Sequence, residues 1–326
     1  MLPVNTLKKN LPRAGVLIFL ALILIFPVSS YQGSKKGLLL WFNTLLPTLL
    51  PFMILSNLIV QMRITAPLSR ILYPVFHRLF RVSKNGCYPV LIGFLSGIPV
   101  GAKTTADMLT RGELTESEGQ YLLGLCNNAS PMFIMSYISL TQLNKPDIRF
   151  ILLFILYSSA LISALIWKAF RTNRNKVSAL SLPPADIPAN TAARKDTGSR
   201  FDFRKLDKSI MDAFDIITRV GGYVILFSIA AQIFSDVGPH NSPLKLIILG
   251  FLEITTGINK ISTAALSMDV KIALITMITA FGGLSGLAQT NSVISNTGLS
   301  IRTYTFQKLL HMTIALLMAA IYVFLT

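Results

Sequence analysis

The amino-acid sequence predicts an all-α polytopic membrane protein, an inverted repeat with two re-entrant helical hairpins and about seven spanning helices. Three observations predict it. The composition is too poor in charge to coat a water-facing surface, the apolar residues lie in long uncharged runs, and polar helix-breaking motifs recur in the same order in both halves. Of 326 residues, 52% are hydrophobic and 13% are charged, with a mean hydropathy of +0.60. A soluble domain carries roughly 25% charged residues, about twice as many.

The runs come first. Residues 15–31, 37–61 and 272–297 contain no charge, 148–167 contain only Arg149, and 304–326 contain only Lys308. Residues 221–234 extend an apolar segment that begins near Ser209. Several runs reach the ~20 residues that a ~30 Å hydrocarbon core requires. Residues 1–30 have a basic start, an apolar stretch and small residues at Val28, Ser29 and Ser30. In a multi-spanning chain this reads as an uncleaved first helix, so residues 1–36 are assigned to it.

The net charge of +16 reports topology before it reports a partner. Threading the crossings from a cytoplasmic N-terminus puts Lys8, Lys9 and Arg13 on one face. The cluster Arg63, Arg70, Arg78, Arg81 and Lys84 joins them, as do Lys103, Arg111, Arg302 and Lys308. The basic stretch 171–208 falls on the same side, whereas Lys35, Lys36, Lys145, Arg149, Lys245, Lys260 and Lys271 fall on the other. That asymmetry is what the positive-inside rule produces in a cell membrane. Nucleic acid is not an expected partner, although the basic stretch can meet anionic lipid.

Residues 171–208, with Pro183, Pro184 and Pro188 among small and charged residues, read as a cytoplasmic linker between two repeats, 37–170 and 209–326. The sequence Gly93-Phe94-Leu95-Ser96 finds its counterpart in Gly250-Phe251-Leu252-Glu253. Each precedes a helix breaker, Gly97-Ile98-Pro99-Val100-Gly101 in one half and Thr255-Thr256-Gly257 in the other. Farther on, Asn127-Asn128-Ala129-Ser130-Pro131 answers Ala288-Gln289-Thr290-Asn291-Ser292. With the charge asymmetry, the first repeat starts outside and the second inside, which makes them inverted. Interrupted helices in inverted repeats are the pattern of secondary transporters, with the solute held where the breaks meet.

Residues 88–102 are apolar but too short to span, so Gly97, Pro99 and Gly101 point to a re-entrant hairpin; 243–266 is its expected partner. The polar stretches 127–131 and 282–292 interrupt otherwise apolar crossings. Broken backbone at membrane depth survives only inside protein or beside a watery cavity. The expected binding residues are therefore Ser96, Lys103, Asn127, Asn128, Ser130, Glu253, Thr255, Thr256, Gln289, Thr290, Asn291 and Ser292. For the Asn127 and Gln289 groups, helix–helix packing through small polar residues is the competing reading. Glu253 has no basic residue within its helix turn, and an intramembrane carboxylate is by default functional; its alternative is a cap on the turn that follows. Lys103 and Asp107, four apart, read equally as a gate or a surface pair, and Asp215 with Arg219 as a structural pair.

Enzymatic chemistry has no support. Cys87 and Cys126 form no CxxC, and His77, His240 and His311 have no ligand-spaced neighbours, so neither a metal nor another cofactor is expected beyond a coupling Na+ or H+. Residues 97–104 miss the phosphate-loop spacing by one residue, and 93–97 place Ser one position late for a nucleophile elbow.

The ordered set Ser96–Lys103, Asn127–Pro131, Glu253–Gly257 and Gly283–Gln289 resembles sporulation integral membrane proteins of the YlbJ type, within the wider nucleoside-recognition, or Gate, group. That resemblance implies a bacterial membrane protein with a role in spore formation and a fold like the concentrative nucleoside transporters. Glu253, and Gln289 with Ser292, stand where that group holds the sugar. The chain departs from the group in lacking a Gly-Gln-Thr-Glu hairpin and a base-binding Gln in its first half. The expected function is movement of a small polar, nucleoside-like solute, with a non-transporting scaffold in spore assembly as the alternative. The expected partners are the bilayer and the solute, with monomer and homo-oligomer both open.

Overall fold

The computed structural model describes residues 4–62, 65–175, 202–237 and 243–325, and every regular element among them is helical. Helix α1 (Val4–Ile25) gives way at Phe26 to α2 (Pro27–Leu40), because Pro27 has no N–H to continue the ladder and suits a first helical position. A π-helical turn (Trp41–Leu45) then leads into α3 (Leu46–Gln61). The expected boundary at residue 36 is therefore absent. Lys35 and Lys36 lie within α2, and Lys36 Nζ donates to Gln232 Oε1 at 3.0 Å on a neighbouring helix. A lysine that finds its acceptor on an adjacent helix needs no aqueous loop.

That neighbour is α9 (Phe203–Val237), which runs antiparallel to α2 and α3. Gly33 lies on Ser228 and Ile229, the Trp41 indole N–H donates to Ile217 O at 2.8 Å, and Asn57 Nδ2 donates to Ser209 O at 3.3 Å. A Cβ at Gly33 would sit 2.8 Å from α9 backbone, and one at Gly221 would sit 2.6 Å from the Trp41 ring. Small residues thus let the two backbones touch, the usual device where apolar burial gives no net drive between helices in lipid.

After α4 (Thr65–Phe80) the two halves carry the same kinds of element in the same order. The first has a hairpin of α5 (Cys87–Ser96) and α6 (Val100–Thr110), an interrupted segment of α7 (Glu116–Cys126) and a π-helical stretch (Phe133–Gln142), and α8 (Arg149–Asn175). The second has a hairpin of α10 (Pro243–Leu252) and α11 (Ile254–Thr263), a broken crossing of α12 (Met268–Phe281) and α13 (Gly283–Ile294), and α14 (Ile301–Leu325). The hairpins close on glycine. A Cβ at Gly257 would fall 2.2 Å from Gly250 Cα, and one at Gly101 would fall 3.1 Å from Gly93 Cα, while Gly93 also lies against Cys126 O of α7.

Two expected boundaries shift. The break read as 282–292 is confined to Gly282 and Gly283, whose φ angles of 88° and 70° end one helix and start the next. Residues Gln289, Thr290, Asn291 and Ser292 belong to the regular helix α13, where the Thr290 hydroxyl donates to Gly286 O and the Ser292 hydroxyl to Gln289 O. Hydroxyls that bond back to their own helix do not break it. The linker read as 171–208 is shorter at both ends, since α8 continues to Asn175 and α9 starts at Phe203; residues 176–201 lie outside the described residues.

Among the described residues, five helical stretches are long and apolar enough to cross a bilayer: Pro27–Ile59, Pro146–Phe170, Phe203–Val237, Met268–Ile294 and Ile301–Leu325. Val16, Leu24, Phe154, Ile321 and Phe324 stand exposed on these and the shorter apolar helices, a surface suited to hydrocarbon. The chain has the build of a multi-pass membrane protein.

Gly257→Val should abolish closure of the second hairpin, read as loss of monodisperse, detergent-extracted protein. Gly222→Ala, at a helical position with nothing within 4 Å of the new Cβ, should leave the thermal midpoint unchanged or slightly raised.

Candidate functional site

The hairpin tips and the helix breaks converge. Ser96 and Ile98 from the first tip, Glu253, Ile254 and Thr255 from the second, Ala129 and Ser130 from one break and Gly282 from the other all line one cavity of about 80 Å³. Leu45, Leu49 and Met53 from the π turn and α3, with Ile217 and Val220 from α9, complete its apolar walls. At 10–15 Å³ per water, the volume holds roughly five or more waters, or a small solute.

Glu253 is fully buried. It is the N-cap of α11, with extended backbone, and its Oε2 accepts Thr256 N at 2.6 Å and the Thr255 hydroxyl. Oε1 accepts Ser285 Oγ at 3.4 Å. The capping alternative is thus realised, and it coexists with a cavity-lining position: the carboxylate is held at a helix N-terminus, where both the free N–H groups and the dipole favour negative charge. No cation pairs with it among the described residues. Thr255 O in turn accepts the Tyr137 hydroxyl at 2.8 Å, and Thr256 Oγ1 lies 2.9 Å from Ser228 Oγ, so the tip is tied to two neighbouring elements.

Gln289 also lines the cavity, buried on α13, and no group among the described residues hydrogen-bonds its side-chain amide. An amide brings two donors and an acceptor. Ser130 Oγ accepts Phe133 N at 3.2 Å, starting the helix after the break, and Ser96 shares a short hydrogen bond with Ser56.

Behind the cavity wall lies a second polar cluster. Asn127 is fully buried; its Oδ1 accepts Ala102 N at 3.2 Å, and its Nδ2 donates to Thr290 Oγ1 and Tyr304 Oη, both at 2.9 Å. One side chain therefore joins the first hairpin, the first break, α13 and α14. Asn128 Nδ2 donates to Leu125 O at 2.7 Å, and the Asn128 carbonyl accepts Ile98 N at 2.9 Å. Asn128 Oδ1 accepts Lys308 Nζ at 3.1 Å.

Lys308 is the residue the sequence reading misplaced. Counted above among the cytoplasmic basic residues, it is fully buried in α14 against the first break. The missed signal was the lysine's isolation in an uncharged run, with His311 three positions on and Tyr304 four positions back, hence on one helix face. Ser285, Tyr137 and Tyr157 were missed as well. Tyr157 Oη donates to Phe94 O at 2.7 Å and lies 3.3 Å from Ala129 O, at the first hairpin and first break.

The structure gathers Ser96, Ser130, Glu253, Thr255 and Gln289 at the cavity and Asn127, Asn128 and Thr290 in the cluster behind it. Thr256 supports the tip through Ser228. Asn291 and Ser292 are exposed on α13; Ser292 instead lines a small pocket of about 20 Å³ with Lys103, Asp215 and Arg219. Lys103 pairs with Asp107 at 3.1 Å, both about half exposed, and the Arg219–Asp215 pair, also 3.1 Å, is more exposed still. Exposed pairs of this kind contribute little to stability. Among the described residues no three His, Cys, Asp or Glu side chains are grouped as metal ligands.

Over 320 aligned positions, 91% of this chain and 78% of the relative, the chain is 26% identical to the sporulation integral membrane protein YlbJ of Bacillus subtilis (strain 168). The likeness read from the ordered motifs therefore extends along nearly the whole chain, which is YlbJ-like. No protein-family model matches the chain, so the wider Gate grouping rests on the motifs alone. No solved structure matches it either.

Asn127→Ala should cost about 3 kcal/mol, because it strands the Ala102 amide and removes a partner of the buried Tyr304 hydroxyl. Asn291→Ala, on the exposed face of the same α13 that Asn127 contacts through Thr290, should stay within about 0.5 kcal/mol. Thermal unfolding in one detergent compares them.

Proposed function

We propose that this chain is a secondary-transporter-like membrane protein, built as an inverted repeat, that binds a small polar solute between its hairpin tips and serves in sporulation. The observation that carries the reading is the cavity where both tips and both breaks meet, with the Gln289 amide, unpartnered among the described residues, in its wall. Broken helix ends around a water-sized space are what alternating-access transporters use for recognition.

The inverted repeat is supported by the matched order of elements, the antiparallel run of α3 against α9, and the register of the tips. Ser96, the last residue of α5, and Glu253, the residue just past α10, stand at the turn of their hairpins at the same offset of 157 that separates Gly93 from Gly250 (253 − 96 and 250 − 93). The sporulation role is carried over from the B. subtilis sporulation protein that the chain resembles.

The lining suits a solute with hydroxyl or amine donors and one apolar face. Glu253 Oε1 is held only by the long Ser285 bond, Gln289 can accept and donate, and Ser130 is near; Phe133, Leu49 and Met53 supply the apolar wall. Nucleosides belong to that class. Ile98 and Ile254 line the cavity at the two tips.

A non-transporting scaffold is the second reading. It is favoured by the internal satisfaction of Glu253, Asn127 and Asn128, whose polar atoms serve the fold whether or not a solute enters.

Thermal unfolding of the purified protein with a nucleoside panel separates the two readings. A ligand at 100 times its Kd should add ~2.7 kcal/mol of stability. Glu253→Gln keeps an acceptor for the Thr256 amide, so it should retain most of its stability yet lose the ligand shift, and Gln289→Ala should weaken the shift at least tenfold in ligand concentration. No shift with any member of the panel, and variants indistinguishable from the parent, would give the scaffold reading the field.

A further inference from the structure

The cavity does not use Lys308, yet the fold places it with care. The lysine is fully buried, and an ammonium offers three donors. All three have acceptors: Asn128 Oδ1 at 3.1 Å, Asn127 O at 3.4 Å and His311 Nδ1 at 3.3 Å. Beside an ammonium, which has no lone pair, His311 Nδ1 can only accept, and that places the ring proton on Nε2, 3.0 Å from Ser159 Oγ and 3.1 Å from Leu156 O. The imidazole is thus set as a neutral acceptor.

No carboxylate touches the lysine among the described residues. The groups facing it are His311 and Tyr304 from its own helix, Cys126 and the two asparagines from α7 and its break, Thr290 of α13 by way of Asn127, and Ser159 of α8. An isolated buried charge costs several kcal/mol unless the site answers it with oriented dipoles. Here the answer is a backbone carbonyl released by the helix break, an amide oxygen and a ring nitrogen. Free carbonyls at a break, joined by an amide oxygen, are the ligand set that broken transmembrane helices offer to small cations.

We propose that the break after α7 is a monovalent-cation site whose resident occupant is the Lys308 ammonium, tethered to α14, so that this protein works without bound sodium. The site itself stands on this geometry; its use in coupling rests on the transporter-like reading above. A tethered charge cannot leave with the solute, and loss of a proton is the one change of charge open to it.

The test is cation-dependent stability of purified protein, with no solute present and no transport measured, so its outcome is independent of whether Glu253 binds anything. The parent's thermal midpoint should be the same in sodium and choline chloride at equal ionic strength. Lys308→Ala opens the site and should be markedly destabilised in choline, with sodium raising its midpoint by several degrees in a saturable way. Should that variant fold poorly, Lys308→Ser, whose hydroxyl oxygen adds a cation ligand and disturbs no asparagine, should show the same saturable stabilisation by sodium. Saturable sodium stabilisation of the parent would overturn the proposal. So would variants that respond alike to sodium and choline, or the failure of both variants to fold in saturating sodium, since a soluble cation should stand in for the ammonium.

Discussion

Everything in this fold answers to the need to satisfy backbone polar groups away from water. Two hairpins that turn back and two interrupted segments release N–H and C=O groups where hydrocarbon offers no partner, and each costs several kcal/mol if left bare. The partners are specific. Glu253 caps the N-terminus of α11, Ser130 starts the stretch after the first break, Tyr137 and Tyr157 donate to carbonyls at Thr255 and Phe94, and Lys308 donates to the carbonyl of Asn127. These side chains come from elements distant in sequence, so satisfying the breaks also fixes the tertiary arrangement.

The consequence is a molecule in which structure and candidate chemistry share residues. Glu253 is both cap and cavity wall, and Asn127 holds the first hairpin to α13 and α14 while shaping the break beside the cavity. Function and stability are therefore hard to separate by truncation, which is why substitutions that keep an acceptor or an exposed control are informative. The two buried ionisable side chains, Glu253 at the second tip and Lys308 at the first break, each sit among hydrogen-bonding groups, and among the described residues neither pairs with an opposite charge.

Close approach is the second constraint. Gly93, Gly250 and Gly257 let the hairpins cross backbone to backbone, and Gly33 and Gly221 let α2 and α9 do the same. Without apolar burial as a drive between helices, contact of this kind supplies the dispersion attraction that holds the bundle. The same glycines in the sequence marked the hairpins, because a residue without Cβ inside an apolar run has few other uses.

The sequence by itself determined the helical class, the membrane environment and the helix breaks that follow Ser96 and Leu252. These are written locally, in hydropathy runs, in glycine and proline at the turns, and in charge misplaced within apolar stretches. It did not determine that Lys35 and Lys36 ride inside a helix, that the second break spans two glycines with Gln289 to Ser292 on regular helix, or that Lys308 is buried. Tertiary partners decided them: Gln232 receives Lys36, Asn127 donates to Thr290 on α13, and Asn127 and Asn128 receive the Lys308 amine. The physical reason is that a polar side chain in a bilayer goes where its acceptor is, and the acceptor here lies up to 196 positions away along the chain.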